Sequence, residues 1–479
     1  MRAALAILLA LAVPAEAAPF AKSGIADWTK PPAAGPERAF APPVATRLTL
    51  GNGLAVLVVE NHALPIVALE LVVPGAGVAA DPARRSGLAA FTADLLDEGA
   101  AGMSSLALAE ATSQLGAQLE TAVDTDAARL SATTLTRTFE PTLALLAKLV
   151  TQPTFAAGEL TRLKSDRLAA LARLRDRPPQ VSVIVLQQAL YGLDSGYGHP
   201  GDGVAVDVQA ITVADIKAFY RAHWVPAGAT LVIAGDVDAQ ALKPKLEATL
   251  GGWRGAATAA TRPAAATAKP NRLLLVDRPG AAQSDVAIGL IGPARSDPRF
   301  YAYEVAQTII GGGFTGRITQ RLREQLGIIY HASTRTTWLR APGPFVIQAP
   351  IATPATATGL SEILKIVDDI ATHDVPAGEL DKARQSLMRA LPSRFESNAA
   401  VARAFAALAA LGLPDDSYAT YADGIRAVTA ADVHAAAGAL LSSGKLVFAV
   451  VGDLAKIQPS LDALGLGAPA RYDLDARPR

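Results

Sequence analysis

Gly311-Gly312-Gly313-Phe314-Thr315-Gly316-Arg317-Ile318-Thr319-Gln320-Arg321-Leu322-Arg323-Glu324-Gln325-Leu326-Gly327-Ile328-Ile329-Tyr330-His331-Ala332-Ser333 is the stretch around which this chain is organised. Its glycine run suits a loop, because glycine enters left-handed backbone freely and lets other backbone approach closely. Arg317 to Leu326 is expected to be a short helix with Ile318 and Leu322 on one face. Gly327 stands where a helix C-terminus wants a positive φ, and a strand is expected from Ile328-Ile329-Tyr330. That arrangement lets Arg323 and Tyr330 point at a common spot. A fixed cation and a phenol both donate hydrogen bonds, which suits a carbonyl oxygen gaining negative charge. The alternative is a charged helix face beside a half-buried strand tyrosine.

Outward from this stretch the chain repeats itself. Thr212-Val213-Ala214-Asp215-Ile216 returns as Thr429-Ala430-Ala431-Asp432-Val433, and Gly235-Asp236 as Gly452-Asp453, each 217 residues later. Ala157-Gly158-Glu159-Leu160 returns as Ala377-Gly378-Glu379-Leu380, 220 residues later. Nearly equal offsets imply two copies of one unit. Within the first copy, Gly51-Asn52-Gly53 separates the apolar runs Arg47–Leu50 and Leu54–Val59, a strong hairpin signal. Thr212 with Asp215 three residues on has the spacing of a capping box. Strands of hairpin type followed by groups of helices predict an α+β fold, two homologous domains each with a mostly antiparallel sheet and helices on one face.

The expected divisions are a signal peptide over 1–17, a Pro-rich extended arm over 18–44, an N-terminal domain over 45–253, an Ala/Thr/Pro linker over 254–270, a C-terminal domain over 271–467 and a tail over 468–479. The signal peptide rests on Met1-Arg2, the apolar run Ala3 to Val13 and a small-x-small site at Ala15-Glu16-Ala17. It predicts a periplasmic or secreted protein, and no later stretch is apolar enough to span a membrane. Basic and acidic residues number 44 each, which gives no net charge to recruit nucleic acid. The absence of cysteine excludes thiol catalysis, disulfides and a lipoprotein anchor.

The glycine loop, the helix with Arg-Glu and the Gly-x-x-Tyr together resemble the second-domain signature of the pitrilysin/insulinase-type zinc metallopeptidases. Asn52-Gly53-Leu54 with Pro65, Tyr197-Gly198-His199-Pro200 and Tyr220 to Asp236 resemble first-domain segments of the same family. The resemblance implies two similar domains facing each other, a substrate-handling Arg–Tyr pair at Arg323 and Tyr330, and a substrate contact from Gly311, Gly312 and Gly313. It also implies an inverted zinc motif, H-x-x-E-H, on the helix after the opening strands. The frame of that motif is present in Gly87-Leu88-Ala89, Leu95-Leu96 and Gly99. Its five positions, however, fall on Ala90, Phe91, Thr92, Ala93 and Asp94. The third ligand position, near Ala169-Ala170, is also alanine. Ala90, Ala93 and Asp94 are thus lost zinc-motif positions, and no metal or other cofactor is expected in this chain.

Such a pattern is similar to the non-zinc subunit of two-chain members, the alpha type of mitochondrial processing peptidase among them. The expected function is an exported, zinc-free subunit of a heterodimeric metallopeptidase that is inactive alone. Zinc would sit in a paralogous partner, and the substrate would be a peptide or small unfolded polypeptide. The alternative is a non-enzymatic scaffold or peptide-binding protein of the same fold.

Overall fold

The computed structural model describes residues 40–256, 272–441 and 443–479. The expected signal peptide, nearly all of the extended arm and most of the linker lie outside the described residues. Among the described residues no helix is long and apolar enough to cross a membrane.

The first half contains strands β1 (Thr46–Thr49), β2 (Ala55–Glu60), β3 (Ile66–Pro74), β4 (Gly99–Ala100), β5 (Met103–Ser104), β6 (Gln118–Val123), β7 (Ala127–Leu135) and β8 (Thr230–Gly235). Its helices are α1 (Leu88–Asp94), α2 (Ser105–Gln114), α3 (Phe139–Thr151), α4 (Ala157–Ala172), α5 (Pro178–Tyr191), α6 (Ala205–Ala210), α7 (Val213–His223) and α8 (Ala239–Leu250). Six strands form one sheet in the order β1-β2-β8-β3-β7-β6, all antiparallel except β2 with β8. The expected hairpin joins β1 to β2. Gly53 turns it at φ 87°, and the Asn52 amide donates to Leu250 O and Trp253 O at 2.9 and 3.1 Å. Thr212 and Asp215 form the expected capping box at the start of α7.

The second half repeats the plan with β9 (Leu273–Asp277), β10 (Gln283–Ile291), β11 (Ser333–Thr336), β12 (Pro344–Ala352), β13 (Val447–Gly452) and β14 (Ala470–Tyr472). Its helices are α9 (Phe300–Gly311), α10 (Thr356–Thr372), α11 (Ala377–Ala390), α12 (Asn398–Leu411), α13 (Tyr421–Ala427), α14 (Ala430–Leu440) and α15 (Leu454–Asp462). The sheet order is β11-β12-β10-β13-β9-β14. Read from the other edge, the first sheet runs β6-β7-β3-β8-β2, so five strands correspond one to one, including the parallel pair β13 with β9. The capping box also returns, at Thr429 and Asp432. The sixth strand differs. β14 lies within the expected tail, where Ala470–Tyr472 adds an edge strand parallel to β9.

Each sheet packs its own helices on one face, around Phe91, Leu130, Leu146 and Trp224 in the first half and Phe345, Ile363, Val433 and Phe448 in the second. The opposite face of each sheet is covered by a helix from the other half. Helix α12 lies on β3 and β8, burying Val401, Phe405 and Leu408 against Leu57, Val72 and Val232. Helix α5 lies on β10 and β13, burying Val181, Val185 and Leu186 against Ala287, Ala449 and Val451. This explains why Leu57 and Val59, pointing opposite to Val56 and Val58 on β2, are also buried. Asp126 ties the halves at the rim of this exchange, accepting from Tyr197 Oη and the Arg340 backbone N–H at 2.7 Å each.

Candidate functional site

The Gly311–Ser333 stretch departs from a simple loop, α-helix and strand. α9 runs through Gly311, and Gly311 and Gly312 are packed so closely against Thr334 and Thr308 that a Cβ at either position would clash. Gly313, at φ 72°, has open space around its Cα. Of the three glycines expected to meet substrate, two are therefore occupied in packing and one is open.

Thr319–Gln325 is a π-helix rather than an α-helix, with the Leu326 N–H donating to Arg321 O at 3.2 Å, five residues back. Ile318 and Leu322 still share the buried face. Gly327 ends the helix at φ 64°, its N–H bonded to Arg323 O at 3.1 Å, as its position in the sequence suggests. The strand begins later than expected. Ile329 makes only a single bridge to Ile351, and β11 starts at Ser333. Tyr330 therefore leaves the sheet and is 78% exposed, not half-buried.

Arg323 and Tyr330 do meet. The guanidinium carbon lies 5.5 Å from the centroid of the Tyr330 ring and 4.9 Å from that of Phe314, which is itself 72% exposed. The cation is thus flanked by two exposed rings, a favourable arrangement for a charge over a π face. Its nearest carboxylate is Glu324, with Oε1 3.5 Å from Nε. Phe314 is a participant that sequence reasoning passed over, although it directly follows the glycine run.

The lost zinc-motif positions lie on α1. Asp81 holds the start of this helix, accepting from the Gly87 and Ala89 backbone N–H groups at 2.7 Å each. Burial pushes the Asp81 carboxyl up to about 7 against those hydrogen bonds. Ala90 and Ala93 are buried and carry no donor atom for a metal. Asp94 is already engaged, because Arg167 on α4 donates to it at 2.8 Å. The same guanidinium pairs with Asp202 at 2.8 Å and lies 5.0 Å from the Phe91 ring centroid. A fixed cation thus stands against the one carboxylate left in the motif, and these residues do not fit zinc. Among the described residues no group of three or more His, Asp or Glu could hold a metal ion. Arg167 was also missed. Its signal was an arginine two residues before the alanines at the third ligand position.

Installing the lost side chains should therefore fail to restore metal binding. In the triple variant Ala90→His, Ala93→Glu, Asp94→His, the third ligand position is still alanine and the Arg167 guanidinium still stands beside position 94, so an incomplete donor set and a nearby fixed cation both oppose a divalent ion there. We expect less than a tenth of an equivalent of zinc by elemental analysis after dialysis. One tightly held zinc per chain would contradict this.

Comparison with known proteins places both halves. The family model described as insulinase (Peptidase family M16) matches residues 55–195, and that described as Peptidase M16 inactive domain matches residues 210–387. An uncharacterized zinc protease of Streptomyces coelicolor is 27% identical over 226 residues, which is 45% of this chain and 48% of that protein. The chain thus matches about half the length of that relative. A Helicobacter pylori protein named a non-peptidase homolog is 23% identical over 401 residues, covering 83% of this chain and 91% of its own. Among solved structures, the peptidase M16 inactive domain from Pseudomonas fluorescens superposes with a TM-score of 0.79 at 27% identity, over 85% of this chain and 98% of that one.

Proposed function

The chain belongs to the insulinase (M16) peptidase family, and from that premise we propose that it is an exported, zinc-free subunit of a two-chain metallopeptidase. The observation that carries this reading is the contrast between the two halves. On α1 a guanidinium stands against the remaining motif carboxylate, while the Arg323–Tyr330 pair is kept together at the surface. A chain with no use for substrate has no chemical need of an exposed cation flanked by aromatic rings. The chain's part is to form one wall of a peptide chamber and present Arg323 and Tyr330 to the peptide backbone. Hydrolysis belongs to the zinc-bearing paralogue on the opposite wall. The chain alone binds peptide and cleaves nothing.

The test is co-expression with an exported paralogue that carries an intact H-x-x-E-H. A stable one-to-one complex that cleaves a short fluorogenic peptide, where neither chain does so alone, is the expected result. Complex formation without any gain in cleavage would favour a peptide-binding scaffold, the reading closer to the name of the Helicobacter pylori relative. Zinc-dependent cleavage by the isolated chain would sink both.

A further inference from the structure

The stack on Arg323 contains one residue that the proposed role of the pair does not account for. Phe314 is a large apolar side chain left 72% exposed on a surface loop. Its backbone is nevertheless fixed. Gly313 turns into it at φ 72°, Gly313–Thr315 forms a single tight turn, and the Gln320 amide donates to Phe314 O at 2.7 Å. On the other side Tyr330 follows the Gly327 turn and the single bridge at Ile329. Two separately anchored rings thus lie within 4.9 and 5.5 Å of one guanidinium carbon. Rings that pack on a guanidinium restrict how it can turn, and its in-plane N–H groups remain the means of meeting an acceptor. Most of the surface of both rings is open to solvent and free to meet apolar groups.

We infer that Phe314 is a positioning and specificity residue, which holds the Arg323 guanidinium in a fixed orientation and receives an apolar or aromatic side chain of a bound peptide beside the carbonyl on Arg323. This inference rests on the peptide-handling reading of the Arg323–Tyr330 pair and names the peptide class it selects. The Phe314 and Tyr330 rings make the site amphipathic, with a cation between apolar walls. A peptide that offers a backbone carbonyl next to an aromatic side chain complements both parts, whereas one of serine and glycine complements only the cation.

The test measures fluorescence anisotropy of two dye-labelled ten-residue peptides on the full chain. One carries a single phenylalanine among glycines and serines, and the other has serine in its place. The chain should favour the phenylalanine peptide, and Phe314→Ala should weaken that binding roughly tenfold, the scale of one aromatic anchor. The same change should weaken the serine peptide clearly less, through the lost orientation of the guanidinium alone, and Phe314→Tyr should restore the preference. Arg323→Ala should weaken both peptides. If Arg323→Ala weakens binding while Phe314→Ala binds the phenylalanine peptide like the unaltered chain, the role of Phe314 is overturned and the peptide-handling reading survives. If the unaltered chain binds neither peptide, the peptide-handling reading itself falls.

Discussion

Arg323→Ala in the reconstituted two-chain enzyme is expected to lower kcat/KM on a short peptide by at least about 10²-fold, and Tyr330→Phe by roughly 10²–10³-fold. The tyrosine change keeps the ring that packs on the guanidinium and removes only the hydroxyl donor. The arginine change removes a charged donor, worth more than a neutral one in an enclosed site. Stability should hardly move. Tyr330 is 78% exposed, and substitutions at such positions stay within about 0.5 kcal/mol. The measurement pairs turnover with co-purification yield and thermal midpoint. Near-normal cleavage by both variants would remove the pair from the chemistry. Lost assembly with unchanged specific activity in the remaining complex would make both residues structural.

The second large effect is on stability. Phe405→Ala on α12 is expected to cost about 3–5 kcal/mol, the usual range for deleting a fully buried ring. Phe405 is 1% exposed, in the layer between α12 and the first sheet, with the Tyr418 ring centroid 6.4 Å away. The cavity falls where one half closes over the other, so the sheet face and the helix lose their contact together. Leu106→Ala on α2 is the control, because Leu106 is 67% exposed and its loss should cost within about 0.5 kcal/mol. Denaturant midpoints for both variants check this. Equal midpoints would mean that α12 is not what closes the face of the first sheet.

The repeated capping boxes and the Gly51-Asn52-Gly53 hairpin made the two-fold plan legible, because caps and tight turns are decided by a few neighbouring residues. The φ of Gly327 was legible for the same reason. The exchange of α5 and α12 was not. Both helices are apolar over much of their surface, and periodicity shows that such a helix is buried without showing against which sheet. The π-helix escaped notice because widening the turn to a five-residue hydrogen bond leaves the composition of Thr319–Gln325 unchanged. It accompanies a late start to β11, and Tyr330 stands outside the sheet in consequence. Absence was easier to read than replacement. Alanine at Ala90 and Ala93 speaks for itself, whereas Arg167 is distant in sequence and reaches the motif through the packing of α4 beside α1.

The exchanged helices also have a consequence for synthesis. When β8 leaves the ribosome, the last strand of the first sheet is present, but α12, which closes that sheet's outer face, has yet to be made. At bacterial or slower rates of about 5–20 residues per second, the intervening chain takes on the order of ten to thirty seconds to appear. Throughout that interval Leu57, Val72 and Val232 offer a broad apolar surface to water. The first half therefore cannot close before the second half exists. The same delay makes it a client for holdase chaperones, and any premature stop before Asn398 leaves a fragment with an open sheet, primed for aggregation and proteolysis.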